Sequence, residues 1–381
     1  MDQLTFSVPT LLGLESLTAD ELRRMGLSGV KAENGRVFCQ GSASDIPRMN
    51  LRLRTGERVQ IVLGRFLAPT FEALFDGTAA LPWEDFIPSD GAFPVKGFSL
   101  NSTLHSVPAC QSIVKKAVAS RLGHRYGQET LPENGAVYQI QFALMKDQAI
   151  LLLDTSGAPL YKRGYRAVGV AAPLRETLAA AMVLLSGYRG RDPFCDPFCG
   201  SGTIVIEAAL IAKNRAPGLN RSFSAQKWAW LPSQAWMNGA EEAMDLEFNG
   251  TYDIWGGDLD PQAIQIAQSN AVKADVEELV SFQVADAAKF NRSETYGRIV
   301  TNPPYGERIM EKSQAEELYR AFGAAYRALP PGWKLNLLSS HTEFERTFGK
   351  SADKKRKLYN GMLKCDLFQF GIKRPNGSKE S

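Results

Sequence analysis

The chain has 381 residues, 44% apolar and 22% charged, with a net charge of +3. That length supports two or three hydrophobic cores, and so small a charge makes any nucleic-acid-binding surface a local matter. No apolar run approaches the ~20 residues of a membrane span, and the start Met1-Asp2-Gln3-Leu4-Thr5 lacks the basic and apolar parts of a secretory signal.

Five cysteines from Cys39 to Cys365 form no disulfide framework, and Cys195 and Cys199 have no second Cys or His pair nearby. The expectation is a cytoplasmic protein with no metal and no membrane partner. Gln3 to Val8 alternates like a strand, and helical spacing then runs to Met25 and stops at Gly26. Val30 to Gln40 reads as a hairpin around Asn34-Gly35. A helix near Ile46 to Leu53 and a strand at Arg58 to Leu67 follow. Arg48, Arg52, Arg54, Arg58 and Arg65 suit either a nucleic-acid face or a solvated helix face.

A second unit starts near residue 66. Phe71 begins a helix, Phe93 to Leu100 reads as a strand, and Val107 to Leu122 as a helix with Lys115, Lys116 and Arg121 on its polar side. Ala136 to Met145 and Ala149 to Asp154 form a hairpin across Lys146-Asp147. The joint Leu160-Tyr161-Lys162-Arg163-Gly164-Tyr165-Arg166 interleaves cations with tyrosines. That pattern suits phosphate contacts and base stacking, and equally a linker whose tyrosines pack inward. Pro173 is expected to open a helix running to Leu185 and ending at Gly187. Strands are expected at 193–196, 252–257, 280–285, 298–301 and 334–339. Lys213 to Asn238, with Trp228, Trp230 and Trp236, reads as an insertion: a substrate-facing lid or a packing element. Lys354 to Tyr359 and Met362 to Phe370 flank Asn360-Gly361, a type I′ hairpin signal.

Three strand ends carry the chemistry. Asp196-Pro197-Phe198-Cys199-Gly200-Ser201-Gly202-Thr203 is a strand, a turn with two glycines, and a helix start. Such a turn lets a ligand reach the backbone, and the helix N–H groups favour an anionic or carboxylate-bearing group. It has neither dinucleotide nor phosphate-loop spacing, so alone it is equally a tight strand-to-helix turn. Asp258, in Gly257-Asp258-Leu259-Asp260-Pro261, can hydrogen-bond both ribose hydroxyls of an adenosine. Ile299-Val300-Thr301-Asn302-Pro303-Pro304-Tyr305 runs a strand into a rigid two-proline turn.

In that order the three motifs resemble S-adenosylmethionine-dependent methyltransferases that act on an exocyclic amine of a nucleobase. The full Asp-Pro-x-Cys-Gly-Ser-Gly-Thr-x-x-Ile-Glu-Ala pattern is similar to the subgroup with an RNA-binding THUMP domain, in particular bacterial guanine-N2 methyltransferases of large-subunit ribosomal RNA. The resemblance implies an α/β fold: a Rossmann-like class I methyltransferase domain, with a seven-stranded mixed sheet ending in an antiparallel hairpin, over residues 161–381. An α+β ferredoxin-like region at 1–65 and a THUMP region at 66–160 would precede it. Because the chain ends just beyond its hairpin, the second methyltransferase domain of some relatives is expected to be absent.

The resemblance also implies roles. Asp196, Pro197, Phe198, Cys199, Gly200, Ser201 and Gly202 would hold the methionine part of S-adenosylmethionine, and Asp258 its ribose. Leu259 would pack on adenine, and Asp286 and Ala287 would meet the adenine edge, unless Asp286 is a surface acid. Asp260 is expected to cap the helix opened by Pro261. Asn302 and the Pro303 carbonyl would accept the hydrogens of the target amine, Pro304 would stiffen the turn, and Tyr305 would stack the extruded base. Lys162, Arg163, Tyr165, Arg166, Lys355, Arg356 and Lys357 are candidate RNA contacts, the last three equally edge-strand protection. The expected partner is large-subunit ribosomal RNA or its assembly intermediate. Guanine N2 in tRNA, adenine N6 in RNA or DNA, and a non-catalytic assembly factor are the alternatives.

Overall fold

Two seven-stranded sheets organise the described residues, which are 3–166, 174–305 and 312–372 of the computed structural model. Met1, Asp2 and Pro173 lie outside them. The chain divides into two compact units. The first comprises Met1–Thr10, Thr18–Leu160 and Arg221–Glu242; the second comprises Leu11–Leu17, Tyr161–Asn220 and Ala243–Ser381.

In the first unit, β1 (Leu4–Pro9), β2 (Ser28–Glu33), β3 (Arg36–Gly41), β4 (Gln60–Leu67), β5 (Val95–Leu100), β6 (Gln139–Met145) and β7 (Gln148–Asp154) form one sheet, ordered β2-β3-β1-β4-β7-β6-β5. β4 pairs antiparallel with both β1 and β7, so the strands on either side of it belong to one continuous sheet. Turn chemistry sets the register. Gly35 takes a positive φ between β2 and β3, and Lys146 and Asp147 both take positive φ between β6 and β7, as a type I′ turn requires. The helices are α1 (Glu15–Arg24), α2 (Asp45–Arg52), α3 (Phe71–Ala79) and α4 (Val107–Tyr126). Thr70 and Ser106 cap the last two by accepting from the backbone N–H of Ala73 and Ala109.

In the second unit, α5 (Glu176–Leu185) and β8 (Phe194–Asp196) precede α6 (Thr203–Ala212), while α7 (Ser233–Asp245) falls in the first unit as far as Glu242. β9 (Ile254–Asp258), α8 (Pro261–Ala274), β10 (Ser281–Val284), β11 (Tyr296–Thr301), α9 (Lys312–Ala328), β12 (Gly332–Ser339), α10 (Phe344–Phe348), β13 (Lys354–Asn360) and β14 (Leu363–Phe370) follow. The sheet order is β10-β9-β8-β11-β12-β14-β13. Its first five strands are parallel, and β14 and β13 close it antiparallel. α6 is wholly buried and apolar but for Thr203 and Glu207, as befits a helix covered on every side. The order runs outward from β8 in both directions, so the sheet switches direction between β8 and β11. Ligands of doubly wound sheets bind at such a switch point, beyond the carboxyl ends of the strands.

Two local expectations change. Leu174 and Arg175 precede the helix, which starts at Glu176 because Arg175 is extended (φ −64°, ψ 140°). The last hairpin turns on Gly361-Met362 rather than Asn360-Gly361, because Asn360 pairs with Leu363 in the ladder. Gly361 alone takes positive φ there, the pattern of a type II′ turn.

The segment Arg221–Glu242 belongs to the first unit, although its sequence lies inside the methyltransferase-like region. Trp228 stacks on Tyr138 (centroids 4.9 Å apart), donates Nε1–H to the Val137 carbonyl at 3.0 Å and is almost fully buried. Trp230 donates to the Phe86 carbonyl at 3.0 Å, and Glu242 on α7 pairs with Arg48 and Arg52 of α2. The tryptophans therefore pack. Arg58 pairs with buried Asp154, and Arg65 lies over the Phe38 ring, so these arginines are also engaged within the unit.

Candidate active site

Asp196, Asp258 and Asn302 lie at or just past the carboxyl ends of β8, β9 and β11, three adjacent strands. Hydrogen bonds tie them together. Asp258 accepts from the Gly200 N–H at 2.9 Å through one oxygen and from the Asp260 N–H at 3.0 Å through the other. Asp196 is buried and accepts from the Thr301 hydroxyl at 2.6 Å and the Phe198 N–H at 3.1 Å. Thr301 is the residue just before Asn302, so the glycine turn and the two-proline turn share one bond. Burial raises the Asp196 carboxyl to about 7, assisted by the neighbouring Asp258.

The turn after β8 suits a cofactor. Gly200 (φ +51°) has nothing within 4 Å of where a Cβ would stand. Gly202 (φ +82°) is closed in, since a Cβ there would stand 3.0 Å from Ala267 and Phe282. One glycine is thus open toward a ligand and the other is required by packing. Ser201 is held by the buried Asn270, whose side-chain amide donates to its carbonyl at 3.0 Å. Leu259 and Val284 hold large apolar side chains in solvent (71% and 55% exposed) past β9 and at the end of β10, as a surface awaiting a flat apolar ring would. Asp260 caps α8 by accepting from Gln262 N–H. Asp286 caps a short turn by accepting from Ala288 N–H with one oxygen, and Ala287 is buried beside it. Pro197 is buried, and Phe198 meets the edge of Phe322. Cys199 is buried, which pushes its thiol up. The residues present fit S-adenosylmethionine: an open glycine, an acid at the second strand end and an exposed apolar ledge.

At the two-proline turn, Pro303 is buried while Asn302, Pro304 and Tyr305 are half-buried. The Tyr305 hydroxyl donates to Asn302 Oδ1, and its ring packs against the second unit's core, with burial raising its hydroxyl pKa. Pro304 offers its carbonyl to the Tyr319 hydroxyl at 2.7 Å.

The joint is corrected. Arg163 and Tyr165, read as candidate RNA contacts, are only 2% exposed and meet the fully buried Glu207 of α6. Arg166 donates to Thr203 Oγ1 at 2.9 Å and to the Leu174 carbonyl, and lies beside Glu176. These side chains brace α6 where it leaves the glycine turn, and the burial of Arg163 and Tyr165 leaves those two no face for RNA, while Arg166 is half-buried. Lys162 is exposed. Lys355 and Lys357 are exposed and Arg356 half-buried on the edge strand β13, with Lys355 paired to Glu345 at 2.7 Å. Thr301, Asn270, Glu176, Glu207 and Tyr319 were missed from the sequence. Two of them carried a signal that could have found them: Thr301, adjacent to Asn302 on a strand end, and Glu207, the acid of the Asp-Pro-x-Cys-Gly-Ser-Gly-Thr-x-x-Ile-Glu-Ala pattern in an otherwise apolar helix.

Residues 163–369 match the family described as RMKL-like, methyltransferase domain. The chain belongs to the RMKL-like methyltransferase family. Its methyltransferase unit has the S-adenosylmethionine-binding fold of class I enzymes, preceded by matches to an RlmL ferredoxin-like domain at 5–60 and a THUMP domain at 68–154. Among curated relatives, "Putative RNA methyltransferase YpsC" of Bacillus subtilis is 43% identical over all of this chain and 99% of its own. A "Ribosomal RNA large subunit methyltransferase K/L" of Psychromonas ingrahamii is 34% identical over 98% of this chain but only 51% of its own length. This RMKL-like chain thus spans about half of the K/L relatives it matches. Among solved structures, one described as a predicted N6-adenine-specific DNA methylase from Listeria monocytogenes is 45% identical (TM-score 0.92, covering 97% of this chain and 96% of that one). Another, "SMU.472, a putative methyltransferase complexed with SAH", is 40% identical (TM-score 0.92, covering 98% and 100%). Among the described residues, no group of three His, Cys, Asp or Glu could hold a metal, and no helix is long and apolar enough to cross a membrane.

Proposed function

We propose that the protein transfers a methyl group from S-adenosylmethionine to the exocyclic N2 of a guanosine in large-subunit ribosomal RNA, in the cytoplasm, on naked RNA or an assembly intermediate. The observation that carries this reading is the Thr301–Asp196 bond, which joins an open glycine turn to an Asn-Pro-Pro-Tyr turn at adjacent strand ends. When bound, S-adenosylmethionine supplies an electrophilic methyl group. The chain's work is to aim a weak nucleophile. A base's exocyclic amine shares its lone pair with the ring, so it must be held with that pair directed at the methyl. Asn302 Oδ1 and the Pro303 carbonyl accept the two amine hydrogens and favour the pyramidal geometry of the transition state. In this structure the Tyr305 hydroxyl donates to Asn302 Oδ1, the bond that the amine would replace. Asparagine takes up no proton, so the proton leaves to water after transfer.

The THUMP match supports RNA over DNA, and the K/L relatives support the large ribosomal subunit. Glycine-turn residues 196–202, Asp258, Leu259, Asp286 and Ala287 would hold the cofactor; Lys162, Lys355, Arg356 and Lys357 would meet RNA. The test uses labelled S-adenosylmethionine with ribosomal RNA and tRNA, separately, from cells lacking the gene, followed by digestion to nucleosides. Labelled N2-methylguanosine from large-subunit RNA, lost in Asn302→Ala, supports the reading. N6-methyladenosine moves the target to adenine, label only in tRNA moves the substrate, and no label with intact cofactor binding favours the non-catalytic factor.

A further inference from the structure

The Asn302-Pro303-Pro304-Tyr305 turn lacks the usual means of holding its own shape. Neither proline has an N–H, so no backbone hydrogen bond can be donated from those two positions. Each ring fixes φ and leaves ψ as the soft torsion. One end of the turn is anchored by Thr301, in the ladder of β11 with β12 and bonded to Asp196. The other end is anchored by a residue 15 positions away. Tyr319 on α9 is fully buried and donates its hydroxyl to the Pro304 carbonyl at 2.7 Å. The same hydroxyl lies 3.3 Å from Ser339 Oγ at the end of β12, and Ser339 also accepts from the His341 N–H at 3.1 Å. The Tyr319 ring is fixed in turn, edge-on to Phe344 and to the buried His341.

We propose that Tyr319 is a positioning residue for methyl transfer: its hydroxyl clamps the Pro304 carbonyl and thereby aims the adjacent Pro303 carbonyl at the target amine. The Pro303 carbonyl lies in the peptide plane between the two prolines. With φ of Pro304 set by its ring and ψ of Pro304 set by the Tyr319 bond, that plane is held from its far side. Without the hydroxyl, ψ of Pro304 is released and the acceptor wanders over a range that a near-attack geometry does not tolerate. This inference rests on the reading of Asn302 and Pro303 as amine acceptors.

The test compares wild type, Tyr319→Phe, Ser339→Ala and Asn302→Ala on RNA in which wild type deposits label. Tyr319→Phe keeps the ring and removes only the hydroxyl. Its kcat is expected to fall by about tenfold to a hundredfold, with KM for S-adenosylmethionine, calorimetric affinity for S-adenosylhomocysteine and the unfolding midpoint close to wild type. Ser339→Ala removes the buried acceptor of the His341 N–H but leaves Pro304 as the partner of the hydroxyl, so it is expected to lower the unfolding midpoint while keeping kcat within about twofold of wild type. Wild-type kcat in Tyr319→Phe alongside a dead Asn302→Ala overturns the inference and leaves the site reading standing. Activity of Asn302→Ala equal to wild type overturns both. Loss of S-adenosylhomocysteine binding or of the cooperative unfolding transition in Tyr319→Phe makes Tyr319 a packing residue and overturns the inference, as does a fall of kcat in Ser339→Ala as large as in Tyr319→Phe.

Discussion

Gly200→Ala separates binding from folding at the glycine turn. Gly200 holds φ at +51°, in the left-handed region, with no atom within 4 Å of a prospective Cβ. The methyl therefore costs the fold only the left-handed penalty, about 1–2 kcal/mol. A ligand lying on the turn meets that methyl directly. Inserting a methyl into a fitted contact costs about 1–3 kcal/mol, which is roughly a 5- to 150-fold rise in Kd. Gly202→Ala is the counterpart. At φ +82° its Cβ would stand 3.0 Å from both Ala267 and Phe282, so strain and overpacking add within the fold. Urea unfolding and calorimetric titration with S-adenosylhomocysteine measure the two quantities. The expected pattern is a small stability loss with a large affinity loss for Gly200→Ala, and a larger stability loss for Gly202→Ala. A Gly200→Ala protein that binds S-adenosylhomocysteine like wild type would refute the placement of the cofactor over this turn.

Glu207→Ala removes the carboxylate that Arg163 and Tyr165 share inside the second unit, and should destabilise it by about 3–5 kcal/mol, read as a shift in the urea midpoint. Burial holds the carboxyls of Asp196 and Glu176 up to about 7, well above the ordinary carboxylate range. Between about pH 4 and 7 the folded chain therefore keeps protons that the unfolded chain releases. Stability should fall as pH rises through that window, by up to about 1.4 kcal/mol per unit for each group. Asp196→Asn should flatten the slope, and unfolding midpoints at pH 5 and 8 check this; a slope that Asp196→Asn leaves unchanged would count against it. Trp228→Ala deletes the stack on Tyr138 and the bond to Val137 and should cost the first unit about 3–5 kcal/mol, seen as earlier proteolysis within residues 3–160.

What was legible in the sequence followed local rules. Hairpins and helix ends announced themselves through Asn34-Gly35, Gly26 and Gly187, and all three glycines take positive φ. The three site motifs were legible because each marks the carboxyl end of a strand, and parallel strands bring those ends to one edge. What was hidden depended on partners distant in the chain. Arg163 looks like a solvated cation until Glu207, 44 positions later, is brought against it. Nothing local marks Tyr319 as the partner of Pro304. The hairpin near Asn360 slipped by one position because Asn360-Gly361 and Gly361-Met362 both satisfy turn chemistry, and only the β13–β14 register chooses between them.

The segment Arg221–Glu242 and the short stretch Leu11–Leu17 are exchanged between the units: each folds with the unit that its sequence neighbours do not join. A single cut therefore frees neither unit intact. A fragment ending at residue 160 would leave Tyr138 and Phe86 bare where Trp228 and Trp230 belong, and a fragment starting at residue 161 would lack Leu14, which is buried in the second unit's core. Neither unit is one uninterrupted segment of the chain, so a single splice that moved or replaced one of them would carry off part of the other.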